Sequence, residues 1–240
     1  MNILKIENPK FSENQTSDDT FIARYMDFPE FISLLNGKIK FTSLEKLKEH
    51  DIFEFNFDPT QLKVDEKKRE NRDISSEEID INIKNHDWPK HWFCSCWCHE
   101  KEENMALWKI FGSMGKGLRI ETDVGSVKKS IRKEYHPEPF YVHKIDYKLD
   151  NKASDIYEAV YIKRNEFKYE SEIRFSTQIP FHHDKSYQSF WINPELLIKK
   201  ITIGPLVLWT KTDIIKLVSL FGLKEELVST SCYDKSIDFI

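Results

Sequence analysis

The segment Trp92-Phe93-Cys94-Ser95-Cys96-Trp97-Cys98 has no polar face. Successive residues of a strand point to opposite sides, so a half-exposed strand alternates apolar with polar. This one is apolar on both sides and rich in β-favouring aromatics, and it reads as a central, buried strand. A chain that contains it must build a sheet with enough apolar bulk to cover it. With 240 residues, including 17 Phe, 9 Tyr and 6 Trp, the chain has that bulk, and one domain over residues 1–240 is the simplest organisation.

The flanking pattern supplies the rest of the sheet. Phe21 to Tyr25 reads as a strand. Asp27 as N-cap, Pro29 in the first turn, Phe28, Phe31, Ile32 and Leu35 at helical spacing, and Gly37 as the stop define a helix after it. Lys38 to Thr42 is a second strand, with Ser43 capping a short helical turn. Asn104 to Met114 carries Met105, Leu107, Trp108, Ile110 and Phe111, a wide apolar face that predicts a buried helix. Strands are expected at Leu118 to Thr122, Tyr141 to Tyr147, Tyr169 to Gln178, Lys200 to Gly204 and Leu227 to Thr230. Helices are expected after Asp123, over Ile156 to Arg164, and over Asp213 to Phe221 with Thr210 as cap and Gly222 as stop. The order lacks a regular βαβ repeat and places several strands in succession. It therefore predicts an α+β domain with a single mixed, largely antiparallel sheet and packed helices. The polar, charged stretch at about 60–88, centred on Lys63 to Ile83, reads as a solvated insertion rather than a boundary.

Composition narrows the function classes. The 36 Lys and Arg nearly cancel 40 Asp and Glu, so no overall field draws the chain onto nucleic acid or anionic lipid, although a local basic patch is compatible with this balance. No apolar run is long enough to span a bilayer and no secretory leader is recognisable, so the expectation is a cytoplasmic protein without membrane contact. Cys94, Cys96 and Cys98 stand on one face of a strand about 7 Å apart, a row that does not converge on a tetrahedral metal, so no metal site is assigned to them. The glycines of Gly112-Ser113-Met114-Gly115-Lys116-Gly117 follow a helix and precede a strand, the reverse of a phosphate-cradling loop.

The most function-like segment is Glu170-Ser171-Glu172-Ile173-Arg174. As a strand it would line up Glu170, Glu172 and Arg174 on one face, either as a solvated face or as a catalytic set in which Arg174 orients a carboxylate. Asp51 and Glu54 lie among aromatics, and Arg24 stands on an apolar strand, where a cation needs a partner; an ion pair with one of those acids is the structural expectation.

These places also carry a resemblance. Arg24-Tyr25-Met26-Asp27, Asp51-Ile52-Phe53-Glu54, Cys96-Trp97 with Met105 to Lys109, Gly117 to Ile120, Lys163-Arg164 with Phe167 and Tyr169 to Arg174, and Ile201 to Pro205 together resemble, in order, a bacterial family catalogued as domain of unknown function 2971. Ile52 replaces its usual proline. The resemblance implies that Arg24, Asp51, Glu54, Trp108, Glu172 and Arg174 belong to a shared framework, for folding or for a site. The chain is also similar in order to ADP-ribosyltransferases: a strand arginine, a Thr42-Ser43 pair, and Glu170-x-Glu172. That likeness implies an NAD-using enzyme in which Arg24, with Tyr25, Thr42 and Ser43 nearby, binds NAD, Glu172 holds the ribose and Glu170 activates the acceptor. The alternatives are a nuclease or hydrolase holding a divalent metal on Asp51, Glu54, Glu170 and Glu172, and a non-catalytic binding or regulatory module of a stress or phage-defence system. In the last, Trp88, Trp191 and Trp209 would meet a protein or nucleic-acid partner.

Overall fold

The computed structural model describes residues 16–49, 51–55, 88–135, 139–149, 153, 156–179 and 186–233. The polar insertion lies, except for its last residue, outside them. β1 (Phe21–Met26) leads directly into α1 (Phe28–Leu35). Asp27 accepts a hydrogen bond from the Glu30 amide at 2.8 Å, and Gly37, at φ 75°, takes the left-handed turn that ends the helix. β2 (Lys38–Ser43) follows, and the Ser43 hydroxyl caps the short α2 (Leu44–Leu47). After α3 (Trp88–His91) come the apolar strand β3 (Trp92–Cys98), α4 (Met105–Ile110), β4 (Leu118–Asp123) and α5 (Val124–Ser130).

The second half contains β5 (Tyr141–Lys144), β6 (Asp146–Lys148), α6 (Ile156–Tyr161), β7 (Ile162–Arg164), β8 (Glu172–Gln178) and β9 (Tyr187–Trp191). It closes with α7 (Pro194–Leu197), β10 (Lys200–Ile203), α8 (Lys211–Ser219) and β11 (Val228–Thr230).

Nine strands form one sheet in the order β11-β10-β4-β1-β3-β2-β9, with β8 and then β5 added beside β3. Its pairs are antiparallel except β10–β11, and β6 and β7 form a separate parallel pair. This is the expected α+β architecture. β3 is its centre, as its two apolar faces require: one edge pairs with β8 from Trp92↔Gln178 to Cys98↔Glu172. The other edge is shared, Cys94 and Phe93 facing Thr42 and Ser43 of β2, and Cys98 facing Ala23 of β1. The sheet therefore forks between β1 and β2.

Each face has its own core. On one, Phe93, Trp97, Ile173 and Phe175 pack with α1, α5, α7 and α8. On the other, Trp92 and Cys94 pack with Leu44, Phe55, Ile145 and residues 159–162.

Four local expectations are corrected. The strand from Tyr141 to Tyr147 breaks at Ile145, which buries into the second core while β6 leaves for β7. The helix expected to reach Arg164 ends at Tyr161, and Ile162–Arg164 is strand. The strand expected from Tyr169 begins at Glu172, because Asn165–Glu170 is a 3-10 turn closed by Ser171 in the left-handed region, φ 44°. α4 is not a buried helix: Leu107 and Trp108 are buried, but Met105, Ile110, Phe111 and Met114 are exposed.

Candidate functional site

The register decides which candidate residues can meet. Cys96 pairs with Arg174 and Cys98 with Glu172, so both charged groups project onto the face of the sheet that carries Cys94. The cover over this face is built from residues 51–55, Ile145 to Tyr147, α6, β7 and the 3-10 turn. Together they bury five ionisable side chains, Glu54, Lys163, Glu170, Glu172 and Arg174, each between 1% and 8% exposed.

Arg174 is at the centre. Its Nε donates to Glu172 Oε1 at 2.7 Å, its Nη1 to the Val160 carbonyl at 2.6 Å, and its Nη2 lies 2.8 Å from Glu54 Oε1. Lys163 Nζ donates to Glu170 Oε2 at 2.6 Å and lies 3.6 Å from Glu172 and 3.7 Å from Glu54. The Tyr147 hydroxyl accepts the Glu172 amide hydrogen at 2.8 Å. At the margin, Asp51 accepts from the Phe53 amide and faces Arg164 at 3.7 Å. Glu170 thus joins the cluster, though not as a rung on a strand: the turn before Ser171 brings it in over Lys163. The solvated-face reading of this segment is overturned by its burial.

The cluster has three carboxylates against two cations, and the surplus negative charge falls on Glu170. Burial opposes ionisation of Glu172, but Arg174 and Lys163 outweigh it and hold that carboxyl well below the usual carboxylate range. Burial pushes Glu170 up, against the pull of Lys163, with Glu172 and Glu54 adding to the rise. Burial likewise disfavours the Lys163 charge, yet Glu172, Glu54 and Glu170 overcome it and raise its pKa. Burial disfavours the thiolate form of the neighbouring cysteines, pushing Cys94 up to about 12 and Cys96 well above its ordinary value. The acids expected to ligate a divalent metal, Asp51, Glu54, Glu170 and Glu172, each face a lysine or arginine instead.

The proposed NAD-binding residues are elsewhere. Because Ala23 pairs with Cys98, Arg24 projects to the opposite face from Glu172 and Arg174. There its guanidinium plugs the fork, donating to Ser95 and to Glu30 at 2.5 Å beside Trp97. Its partner acid is therefore Glu30, not Asp51 or Glu54. The fork cavity lined by Arg24, Met26, Glu30 and Trp97 offers about 10 Å³ to the centre of a water-sized sphere, whereas small-molecule pockets run to hundreds of Å³. Tyr25 and Trp108 stack edge to face at 4.9 Å in a small core. The Tyr25 hydroxyl accepts from the Asn104 amide, and the Trp108 indole donates to Glu103. Ser43 is the buried cap of α2, and Thr42 is a half-buried ladder residue. Lys163, Arg164 and Tyr147 are the cluster members that sequence reading does not assign to the site, although Lys163-Arg164 is among the blocks of the resemblance. The available signal was the basic pair Lys163-Arg164 directly after an apolar helix.

No family model, curated protein or solved structure matches the chain.

Proposed function

We propose that the protein is a non-catalytic binding module whose buried ion cluster organises the fold and whose partner is another protein. The observation that carries this is an apolar surface at one end of the sheet. Ile110 at the end of α4, Phe111 and Met114 from the turn after it, and Leu206, Leu208 and Trp209 from the loop after β10 are all exposed, Leu208 to 94%. Backbone bonds hold these segments together, Gly204 N–H to Gly117 O at 3.0 Å and Leu206 N–H to Gly115 O at 2.9 Å, and Trp209 packs on Phe28 at 4.2 Å. A Cβ on Gly117 would come within 2.1 Å of the Met26 carbonyl, so glycine there is what lets the strands approach.

Large apolar side chains exposed together on a folded domain mark an interaction site, and exposed Lys109, Lys116 and Lys211 favour a partner with an acidic rim. Ser113 and Met114, at φ 50° and 58°, spend backbone strain to hold Met114 outward, a pattern concentrated at functional positions. The NAD-consuming reading, by contrast, needs Arg24 and Glu172 in one cleft, and they face opposite sides of the sheet.

The test is affinity capture from the producing cell with wild type and Leu208→Asp. A specific protein retained by wild type and lost by the variant is expected. Equal capture by both would refute the assignment, as would release of nicotinamide from NAD by wild type that Glu172→Gln abolishes.

A further inference from the structure

At the opposite edge of the sheet, β2 and β9 present a face of a different chemistry. In their antiparallel register Lys38 stands opposite Trp191, Lys40 opposite Ser189 and Thr42 opposite Tyr187, while Ile39, Phe41 and Phe190 turn into the core. Each exposed ring has a cation on it: Lys38 Nζ lies 4.7 Å from the Trp191 centroid, and Lys40 Nζ 4.5 Å from that of Tyr187. Among the described residues β9 is the last strand on this side of the sheet order, and its Trp191 end is bonded to residues 130–132.

A basic run continues it. Lys128-Lys129-Ser130-Ile131-Arg132-Lys133 holds four cations and no acid. Lys128 is paired with Asp18, but Lys129, Arg132 and Lys133 are exposed. The Arg132 amide donates to the Trp191 carbonyl at 2.9 Å, and Ile131 bridges Ile192, which fixes the run beside the end of β9. Lys38 and Lys40 thus lie on the two half-exposed rings, and the backbone bond of Arg132 to Trp191 sets the run with Lys129, Arg132 and Lys133 at the end of β9.

We infer that this face binds single-stranded nucleic acid, with phosphates on the five cations and bases on Tyr187 and Trp191. Rings stack on any base, and a cationic track follows the backbone, which is how sequence-tolerant single-strand binding works. The rings are four residues apart on one strand, about 13 Å, with the small Ser189 between them. That is roughly four times the 3.4 Å step of stacked bases in a duplex, so the ligand is an extended, unstacked strand. Among the described residues no helix projects from this face to enter a major groove, so a duplex is a poor fit. The near-zero balance of charge over the whole chain does not oppose this, because the field that matters is that of the patch.

The experiment is fluorescence anisotropy with a labelled thymidine oligomer of about 20 nucleotides, the matching duplex, and polyglutamate as competitor. Five phosphate contacts at about 0.7 per contact predict roughly a 100-fold loss of affinity between about 50 and 200 mM salt. Trp191→Ala is expected to weaken binding about tenfold with the salt slope unchanged, and Lys38→Ala to lower the slope by about 0.7. The urea midpoints of both variants serve as folding controls. Absence of single-strand binding at about 50 mM salt, duplex binding as tight as single-strand binding, a Trp191→Ala variant that folds and binds like wild type, or equal competition by polyglutamate would each overturn the assignment. Leu208→Asp, on the other surface, is expected to leave oligonucleotide binding intact, so failure of the protein-partner reading and failure of this one are separate results.

Discussion

Replacing Arg174 by methionine tests whether the buried cluster is held by charge pairing. Methionine keeps the length and apolar stem of the side chain, so packing changes little, while the contacts to Glu172 at 2.7 Å, Glu54 at 2.8 Å and the Val160 carbonyl at 2.6 Å disappear. What is left is worse than what is removed. Glu54 and Glu172 stay 3% exposed, with Lys163 at 3.7 and 3.6 Å as their cation. Breaking a buried ion pair on one side costs about 3–5 kcal/mol, because an uncompensated charge stays inside. With a urea dependence of about 3 kcal/mol per M, the midpoint should fall by roughly 1–1.7 M at pH 7, followed by tryptophan fluorescence. The loss should shrink toward pH 3, where Glu172, without the Arg174 charge that holds its carboxyl low, can take up a proton. The triple variant Glu54→Leu, Glu172→Leu, Arg174→Met removes both signs of charge and should regain most of the midpoint. A shift below about 0.3 M for Arg174→Met, or a triple variant no better than the single one, would refute the reasoning.

Glu170→Gln and Glu172→Gln should part company at pH 7. The first removes the surplus charge and changes stability by less than about 1 kcal/mol, whereas the second leaves Arg174 short of its main partner and costs about 3 kcal/mol, both read from urea midpoints. In pH titrations of stability, the depressed Glu172 contributes above its unfolded pKa of about 4.3, and that contribution is lost as pH falls through its lower folded value. Glu170 has the opposite sign: its raised folded pKa makes stability decline as pH rises from about 4.3 through that value, a decline Glu170→Gln should abolish. Met114→Gly relieves a left-handed non-glycine residue and should raise the melting temperature by about 2–4 °C while weakening capture of the protein partner. Gly117→Ala drives a Cβ toward the Met26 carbonyl and should cost at least about 3 kcal/mol in thermal or urea unfolding, or prevent accumulation of folded protein.

The elements that were legible in the sequence are those with chemical punctuation. Asp27, Pro29 and Gly37 bracket α1 and mark where β1 ends and β2 begins, and Thr210 with Asp213 closes a capping box on α8. β3 was legible from its missing polar face. The Glu170 rung was misplaced because Tyr169 to Gln178 alternates smoothly, and nothing in that pattern signals that Ser171 turns left-handed. Burial of α4 was overestimated because its apolar residues are the same whether or not another element covers them; here nothing among the described residues covers Ile110 or Phe111. The separation of Arg24 from Glu172 was not legible at all. Parity along one strand says which residues share a face, but only the pairing of Ala23 with Cys98 relates the faces of two strands. The cluster was half visible: its acids and Arg174 stood out against apolar neighbours, while Lys163 and Tyr147 became members only through the cover.

The divided edge of β3 has a mechanical meaning. Between Phe93 and Cys98 that strand is the spine of two half-sheets, one carrying β2 and β9, the other β1, β4, β10 and β11, and its bridge to the second half is the single pair Ala23 and Cys98. Torsion between the halves is resisted there by few backbone bonds, by the Arg24 plug against Ser95 and Glu30, and by the core that joins Ile22 and Met26 of β1 to Ile39 and Phe41 of β2. The oligonucleotide face and the apolar face sit on different halves, so this spine is the part of the sheet that the two have in common.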